Sequence, residues 1–358
     1  MRKLATIREI KQLDPIPGAD FIERATVDGW ELVVKKGEFK VGDLGVYFEI
    51  DSMLPNQEIF AFLGKTTLTN KGIGYRLRTI KLRKQVSQGL MLPLTAFPDL
   101  KPTATDVTED LGVWLYEPLY KTGSGMGPRE SIGVFPYFLR KTDQERIQNK
   151  VHYFETYADE EFEATKKLDG SSLTVWNYDK VINPPVRGFW NKIKAIFKPI
   201  KAETFGVCSR NINLREVEGN AFWDIANELK LREMLKGHNV ALQGELISPT
   251  IQNNHEKVDK PYFYLFDIFD IDKQQYMLPS ERMQWLAENN NGLVMHVPFV
   301  NDYKIFNKCK TLPELLRFVE GPSMNKGTIS EGMVFKSTTN RNLSFKCVSN
   351  KYLLKCEV

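Results

Sequence analysis

The stretch Lys167-Leu168-Asp169-Gly170-Ser171-Ser172 separates a segment rich in charged and aromatic residues from the strand-like run Leu173-Thr174-Val175-Trp176. This pattern predicts a strand, a tight loop with one lysine and a second strand. Such an arrangement could hold a reactive amine in place. Lysine is a nucleophile only as the neutral amine, so such a site must lower its pKa from about 10.4, by desolvation or a nearby cation. Asp169 lies two residues on and points to the same side as Lys167 in an extended chain, where it would suit a metal. The alternative is an ordinary polar turn in which Gly170 adopts a positive φ.

The length and composition of the chain are those of an ordinary globular protein. Its 358 residues predict two or three domains, and 42% apolar with 26% charged residues is typical of soluble proteins. No apolar stretch is long enough for a membrane span and the amino terminus lacks a signal-peptide core, so we expect an intracellular, cytoplasmic protein. The four cysteines form no CxxC pair, which argues against structural zinc and a disulfide framework. A net charge of +4 permits a nucleic-acid partner.

Residues 1–120 read as mostly β. The runs Phe21–Val27 and Trp30–Val34 flank Asp28-Gly29 and predict a hairpin. Further strand-like runs cover 44–50, 75–84 and 87–94. Short strands at close spacing with glycine turns predict a small OB-like β-barrel.

One predicted strand of this barrel is strongly basic. It could track a phosphate backbone, or it could be a solvated edge strand protected by charge against aggregation, and the stripe alone does not decide between these. The candidate nucleic-acid contacts are Arg76, Arg78, Lys81, Arg83 and Lys84.

Residues 121–149 read as a linker followed by an entrance helix. The glycines at 123–127 do not complete a phosphate-binding pattern. Thr142-Asp143-Gln144-Glu145 is a capping box and predicts a helix through Arg146–Asn149. Farther on, the basic segment 183–202 carries Trp190, Ile193 and Phe197 at helical spacing. This pattern favours an amphipathic surface helix, with an RNA-contacting insert as the alternative.

Residues 150–358 read as α+β. We expect helices near 221–235, 280–289 and 312–320, and strands at 240–247, 262–269, 331–336 and 343–352. Three of these strands carry an ionisable residue among apolar neighbours, namely Glu245, Glu331 and Lys346. Such residues are almost never fully buried unless paired, so together with the Lys167 loop they predict a polar cleft between sheets.

The side chains of this cleft suit nucleotide chemistry. Asp169, Glu245 and Glu331 are hard oxygen ligands for Mg²⁺ or Mn²⁺, directly or through water. Four cations suit phosphates, and Phe266 could stack on a base. The set describes phosphoryl or nucleotidyl transfer. The four cations are Arg210, Lys336, Lys346 and Lys351.

Lys167-Leu168-Asp169-Gly170 resembles motif I of the covalent nucleotidyltransferases, which comprise DNA ligases, RNA ligases and mRNA capping enzymes. Six elements match in the right order across the second domain, whereas any one of them would be a weak signal. Motifs Ia, III, IIIa, IV and V are matched by Ser209-Arg210-Asn211, Gly244-Glu245-Leu246, Phe266-Asp267-Ile268, Glu331-Gly332-Met333-Val334-Phe335-Lys336 and Ser344-Phe345-Lys346.

Domain order narrows the resemblance. DNA ligases and capping enzymes carry an OB domain after motif V, and the 12 residues after Lys346 leave no room for one. Gly42–Ser52 and Val86–Leu90 instead look like the N-terminal OB module of the Naegleria- and Deinococcus-type RNA ligases. The resemblance implies an OB-like β-barrel (1–120), the linker and entrance helix (121–149) and an ATP-grasp-like nucleotidyltransferase domain of two antiparallel sheets with helices (150–358).

The resemblance also implies a function: an ATP-dependent RNA ligase that joins 3′-OH and 5′-phosphate ends, at nicks in duplexes, through lysyl-AMP. It implies Lys167 as the nucleophile, and a Mg²⁺ or Mn²⁺ site of Asp169, Glu245 and Glu331, through water. We expect an RNA-binding monomer without a membrane partner. The alternatives are a capping guanylyltransferase, a DNA ligase-like enzyme and a non-enzymatic OB-type RNA-binding protein.

The implied ATP site has one departure from the family pattern. Motif V often has a second lysine two residues on, but position 348 is Val, and Lys351 is its candidate replacement. Lys346 would bind the α-phosphate, Phe266 the adenine, Arg210 the ribose or an RNA phosphate, and Arg146, a weaker candidate, the leaving pyrophosphate. The full cofactor-binding set is Lys167, Leu168, Gly170, Arg210, Glu245, Phe266, Lys336, Lys346, Lys351 and Arg146.

Overall fold

The computed structural model describes residues 2–117, 131–179, 204–290, 292–325 and 327–356. The basic segment 183–202 and the glycines at 123–127 lie outside these ranges. No helix in the described ranges is long and apolar enough to cross a membrane.

The N-terminal region is all β apart from the 3₁₀ helices Glu58–Leu63 and Leu94–Ala96. Its strands are β1 (Ala5–Glu9), β2 (Gln12–Pro15), β3 (Ile22–Val27), β4 (Trp30–Lys35), β5 (Leu44–Phe48), β6 (Ser52–Pro55), β7 (Thr67–Thr69), β8 (Gly72–Arg76), β9 (Thr79–Leu82), β10 (Gln85–Gln88), β11 (Leu90–Pro93) and β12 (Trp114–Leu115).

These strands form four small sheets in the orders β1-β5-β11, β2-β3-β4, β9-β10 and β12-β6-β8-β7. The predicted hairpin is confirmed, since Val27 pairs with Trp30 and Asp28 takes a left-handed φ of 50° in the turn. The prediction of a single strand over 75–84 is wrong. β8 ends at Arg76 and β9 begins at Thr79, while Arg83 and Lys84 form a two-residue turn.

The predicted helix at Thr142–Asn149 is wrong. Arg146 is extended, with φ −73° and ψ 140°, and forms a parallel bridge with Lys346. The Glu145 carbonyl accepts from the Lys346 amide at 2.8 Å. Pairing with a distant strand therefore overrides the local helix signal, and only one 3₁₀ turn remains at Ile147–Asn149.

The second region is α+β, as predicted. Its strands are β13 (Ser131–Val134), β14 (Phe162–Lys167), β15 (Ser171–Asn177), β16 (Phe205–Cys208), β17 (Ile212–Leu214), β18 (Val240–Ile247), β19 (Tyr262–Asp270), β20 (Gln275–Tyr276), β21 (Met295–His296), β22 (Phe299–Tyr303), β23 (Gly332–Ser337) and β24 (Ser344–Val348). Its helices are α1 (Tyr153–Thr156), α2 (Ala221–Glu228), α3 (Leu231–Met234), α4 (Pro279–Asn289), α5 (Ile305–Lys308), α6 (Leu312–Phe318) and α7 (Asn350–Cys356), with a 3₁₀ turn at Gln252–Asn254.

Two sheets form this region. The larger has the order β13-β17-β16-β15-β18-β19-β20, with β21 beside β19, and the smaller has the order β22-β14-β23-β24. β14 belongs to the smaller sheet and β15 to the larger, so the chain crosses between them at Leu168-Asp169-Gly170. Leu242 and Leu246 of β18 pack into the core beneath α2 and α3, which turns Glu245 to the opposite face.

Two elements expected in this region are each divided in two. The helix expected over 221–235 is divided into α2 and α3, because Lys230 adopts a left-handed φ of 53°. The strand expected over 343–352 ends at Val348, and α7 follows. Tyr352 and Leu353 of α7 pack into the same core as Trp30 of the N-terminal region, so α7 joins the two regions.

Candidate active site

Lys167 is the last residue of β14 and pairs with Gly332, the first residue of β23. Its Nζ lies 2.6 Å from Oε1 of Glu331, which directly precedes β23. Gly332 has a φ of 142°, and a Cβ there would lie 2.2 Å from the Cys347 carbonyl oxygen. Glycine is therefore required at position 332. The close contact with β24 that it permits holds Glu331 beside the Lys167 amine.

Gly170 is required by close packing and not by its backbone angle. Its φ lies outside the left-handed region, so a positive-φ turn is the wrong interpretation of this loop. A Cβ at Gly170 would lie 2.5 Å from the Leu246 carbonyl oxygen and 3.0 Å from Cγ of Glu245. The glycine therefore lets the loop approach β18 and its glutamate.

The three predicted carboxylates come together around Lys167. Burial raises the pKa of Glu245 to about 8, assisted by repulsion from Glu331 and Asp169 and opposed by Lys167. Burial and repulsion from Glu331 raise the pKa of Asp169 to about 6, against a hydrogen bond with Tyr352. Sequence reasoning missed Tyr352, which carries no motif signal.

This acidic cluster fits a hydrated divalent ion better than a bare one. Across the described ranges, no three acidic, histidine or cysteine side chains converge as direct ligands of one ion. The carboxylates repel each other in a buried place, and a cation with bound waters would relieve that repulsion. A Mg²⁺ or Mn²⁺ ion held by Asp169, Glu245 and Glu331, partly through water, stays a prediction, and the oxygen chemistry of these three acids fits it.

The pKa of Lys167 runs against the first expectation. Burial lowers it, but attraction to Glu331, Glu245 and Asp169 outweighs burial, so the pKa of Lys167 is raised. The amine is thus held as an ammonium until the negative charge around it is neutralised. Lys166 points elsewhere, since its Nζ donates to the Pro322 carbonyl at 3.1 Å.

A second cluster holds the predicted cations Lys346 and Arg210. Asp143 lies between them, with its carboxylate oxygens 3.2 Å from Lys346 Nζ and 3.7 Å from Arg210 Nη2. Burial lowers the pKa of Lys346 to about 8, with attraction to Asp143 opposing and repulsion from Arg146 and Lys167 adding to the effect. Asp143 was assigned by sequence to a helix cap and not to the site.

Arg146 and Arg76 meet at the boundary between the two regions. Arg146 is buried, and its Nη2 donates to Asp51 at 3.4 Å, while its Nε and Nη1 contact no polar partner in the described ranges. Arg76 lies 3.7 Å from Asp51, and its guanidinium stacks 3.7 Å above the Tyr116 ring. Arg76 therefore differs from the other four residues of the basic stripe, which are exposed.

Those four cations make no ion pair with any described residue. They are Arg78, Lys81, Arg83 and Lys84.

Two lysines assigned to nucleotide phosphates have protein partners. Lys336 Nζ lies 2.7 Å from Asp267 and donates to the Phe266 carbonyl at 2.6 Å. Lys351 Nζ lies 2.6 Å from Glu320, and its side chain is 65% exposed, unlike that of Lys346. Phe266 itself is half-buried and packs in a cluster with Leu168 at the Lys167 loop, where an aromatic platform is expected.

Comparison with known proteins follows the same division of the chain. An OB-fold domain matches residues 4–94, and the RNA ligase family matches residues 160–355, which is more than half of the chain. The comparison with curated proteins gave no match.

Solved structures match along almost the whole chain. A Naegleria gruberi RNA ligase mutant in the apo form is 43% identical, with a TM-score of 0.85, and the match covers 98% of this chain and 97% of that one. A mutant with ATP and Mn is 43% identical, with a TM-score of 0.84 and 98% of each chain covered. A mutant with AMP and Mn is 42% identical, with the same TM-score and coverage.

Proposed function

The chain belongs to the ATP-dependent RNA ligases with an N-terminal OB domain, and on this premise we propose that it seals 3′-OH and 5′-phosphate RNA ends at duplex nicks through a lysyl-AMP intermediate. The enzyme uses ATP and a divalent metal ion, and RNA is its substrate class. The observation that carries the lysyl-AMP step is the position of Lys167 Nζ, 2.6 Å from Oε1 of Glu331 at the loop that crosses between the two sheets.

In the first step, Lys167 Nζ attacks the α-phosphorus of ATP. A P–N bond forms, the bond to the β-phosphate oxygen breaks, pyrophosphate leaves, and Nζ loses its proton. Lys346 would stabilise the negative charge on the α-phosphate. Burial lowers the pKa of Lys346 because the buried ammonium is incompletely compensated, so an incoming anion would be favoured there.

Asp169, Glu245 and Glu331 would hold the metal ion, which neutralises their charge and polarises the α-phosphate when bound. With that charge neutralised, burial dominates the environment of Lys167 and favours its neutral amine. The three acids would therefore set the pKa of Lys167, and a bound cation would weaken their effect on it.

In the second step, a 5′-phosphate oxygen of the RNA attacks the lysyl-AMP phosphorus, and the P–N bond breaks to release Lys167. In the third step, the 3′-OH attacks the activated 5′-phosphate, a phosphodiester forms, and AMP leaves. Lys346 and Arg210 are the cations placed to hold the phosphates in turn.

The remaining nucleotide contacts are assigned on the same basis. Phe266 is the adenine platform, with Leu168 and Gly170 beneath the nucleotide. Arg146 would take the leaving pyrophosphate, since its guanidinium is buried with two nitrogens unpartnered in the described ranges. Lys336 and Lys351 are less suited to phosphates. Lys336 is held by both Asp267 and the Phe266 carbonyl, and Lys351 pairs with Glu320 on a side chain that is 65% exposed.

The N-terminal region would bind the RNA duplex or the 3′-OH strand. The support is the exposed set Arg78, Lys81, Arg83 and Lys84, which carries positive charge uncompensated by any described acid. Arg76 would act indirectly, through Asp51 and the boundary between the regions. We take the domains as residues 1–120 and 150–358, joined by 121–149, and the enzyme as a monomer.

The test of the first step is covalent labelling. The protein is incubated with α-labelled ATP and Mg²⁺, denatured, and examined for protein-bound label. We expect label on the wild type and on Lys166→Ala, and none on Lys167→Ala. An unlabelled wild type, or equal label on Lys167→Ala, contradicts the proposal, and labelling by GTP would favour a guanylyltransferase. Sealing of nicked RNA, nicked DNA and open single strands then tests the preference for duplex nicks.

A further inference from the structure

Arg282 of α4 is fully buried and has no part in the reaction described above. Its Nη2 donates to both carboxylate oxygens of Glu163 at 2.6 Å, and its Nε donates to Nε2 of His296 at 3.1 Å. The His296 Nδ1 lies 2.7 Å from the Val297 carbonyl, which fixes the hydrogen on Nδ1 and leaves Nε2 as the acceptor. A buried guanidinium is costly unless its partners are well placed, so this arrangement calls for a functional explanation.

The same network reaches the nucleotide face of the cleft. Arg282 Nη1 lies 3.8 Å from Oδ1 of Asp267, and that oxygen lies 2.7 Å from Lys336 Nζ. Lys336 Nζ donates to the Phe266 carbonyl at 2.6 Å and lies 5.5 Å from the centre of the Phe266 ring. The two cations balance Glu163 and Asp267, so the cluster is neutral as a whole.

The network also joins the two sheets. Glu163 and Lys336 are cross-strand partners in the smaller sheet, and Glu163 lies four residues before Lys167 on β14. Asp267 follows Phe266 on β19 of the larger sheet. Arg282 therefore links the strand of Lys167 to the strand of Phe266, with a forked hydrogen bond to Glu163 on one side and a 3.8 Å ion pair with Asp267 on the other.

We propose that Arg282 is a positioning residue for ATP, acting through Asp267 and Lys336 to hold Phe266 where adenine stacks. The inference rests on the proposed function of Phe266. In this proposal, Lys336 supports the Phe266 ring and does not bind a phosphate. Arg282 itself does not touch the nucleotide, so it affects ATP affinity more than the rate of bond formation.

The test is a double-mutant cycle on ATP affinity. Glu163→Gln/Arg282→Met removes the Arg282–Glu163 pair as a unit, together with the 3.8 Å contact from Arg282 to Asp267, and leaves Asp267 paired with Lys336. We expect the Kd for ATP, measured by calorimetry in a Lys167→Ala background, to rise about tenfold. In the Lys167 enzyme, the maximal rate of lysyl-AMP formation at saturating ATP should change by less than about threefold, since the reacting groups are untouched.

The cycle with Phe266→Ala separates positioning from general stability. If Arg282 acts through the ring, adding the double substitution to Phe266→Ala raises the Kd by less than about twofold, whereas independent effects would multiply. Multiplying effects, or a lower maximal rate at unchanged affinity, would overturn the proposal. Arg232→Met with Glu216→Gln is the control, because that ion pair of 2.9 Å lies on the surface.

A folding defect does not leave the question open. If the double variant melts below the assay temperature, Arg282→Lys keeps the charge and loses the forked contact to Glu163. We then expect a Kd for ATP between those of wild type and Phe266→Ala, and a wild-type Kd would overturn the proposal. A wild type that forms no lysyl-AMP would contradict the proposed function instead, and labelling shows this separately.

Discussion

Nζ of Lys167 and Oε1 of Glu331 lie 2.6 Å apart, so the lysine proposed as the nucleophile forms an ion pair with an acid proposed for the metal site. The contact positions the amine, and it also helps to keep the pKa of that amine raised. In the proposed first step, a cation held by Glu331 would weaken this effect and favour the neutral amine. Glu331 would then contribute directly to that step.

Glu331→Gln should reduce lysyl-AMP formation by at least about 100-fold, because the amide retains the shape but not the charge that holds the cation. Single-turnover labelling with saturating ATP and Mg²⁺ measures the loss. Glu216→Gln, a surface acid paired with Arg232, should leave the rate unchanged. A Glu331→Gln enzyme with the wild-type rate would show that the ion pair has no part in catalysis.

Gly170→Ala should destabilise the protein by about 1–3 kcal/mol and slow lysyl-AMP formation, because the new methyl meets backbone 2.5 Å away and displaces Glu245. Urea denaturation measures the stability. Gly133→Ala is the matched control, since a Cβ there meets nothing within 4 Å and its φ is not left-handed. Equal stability of the two variants would contradict the packing role of Gly170.

Local sequence patterns predicted the parts of this fold that depend on local chemistry. The Asp28-Gly29 turn fixes its hairpin, and the apolar runs of β18 and β19 specify strands within one residue of their observed ends. Glu245 and Glu331 were singled out because a charged residue among apolar strand neighbours is rarely buried without a partner, and Asp169 because it lies two residues after Lys167.

The wrong and missed predictions fall where contacts between residues far apart in the sequence determine the structure. Asp51 meets Arg146 across 95 positions, and Asp143 meets Lys346 across 203. No local signal reports such pairs, and the capping box at Thr142 favours a helix that pairing with β24 prevents. Arg282 was missed for the same reason, since its partner Glu163 lies 119 positions away.

Arg83 and Lys84 occupy a two-residue turn with φ values of 46° and 71°, a place that favours Asn-Gly. Arg83→Asn/Lys84→Gly should therefore stabilise the protein by about 1–2 kcal/mol. If the turn contacts RNA phosphates, the same change should weaken RNA binding and reduce the salt slope by up to about 2. Thermal unfolding and binding at several salt concentrations measure both effects.

Lys230 supplies the matched control for that turn. It is an exposed lysine with a φ of 53°, in the second region. Lys230→Gly should also relieve backbone strain but leave RNA affinity and its salt slope unchanged. Unchanged RNA binding in the Arg83/Lys84 variant would remove the turn from the RNA interface.

His296 should make stability depend on pH in a defined window. Burial, assisted by the Arg282 guanidinium, lowers the pKa of His296 from 6.5 to about 4. Between these values the unfolded chain binds a proton that the folded protein excludes, so stability falls as pH falls. The contribution is fully present above pH 6.5 and lost by about pH 4, with a total of about 3 kcal/mol.

The measurement is urea denaturation of wild type and His296→Gln from pH 7.5 to 4. The glutamine oxygen can accept from Arg282 but does not titrate. Carboxylates that titrate in the same range, including Asp169, affect both proteins and cancel in the difference. The advantage of wild type over the variant should therefore shrink steadily below pH 6.5. A difference independent of pH would mean that His296 has the same pKa in the folded protein as in the unfolded chain, and Arg282 would then face a cation instead of an acceptor below about pH 6.5.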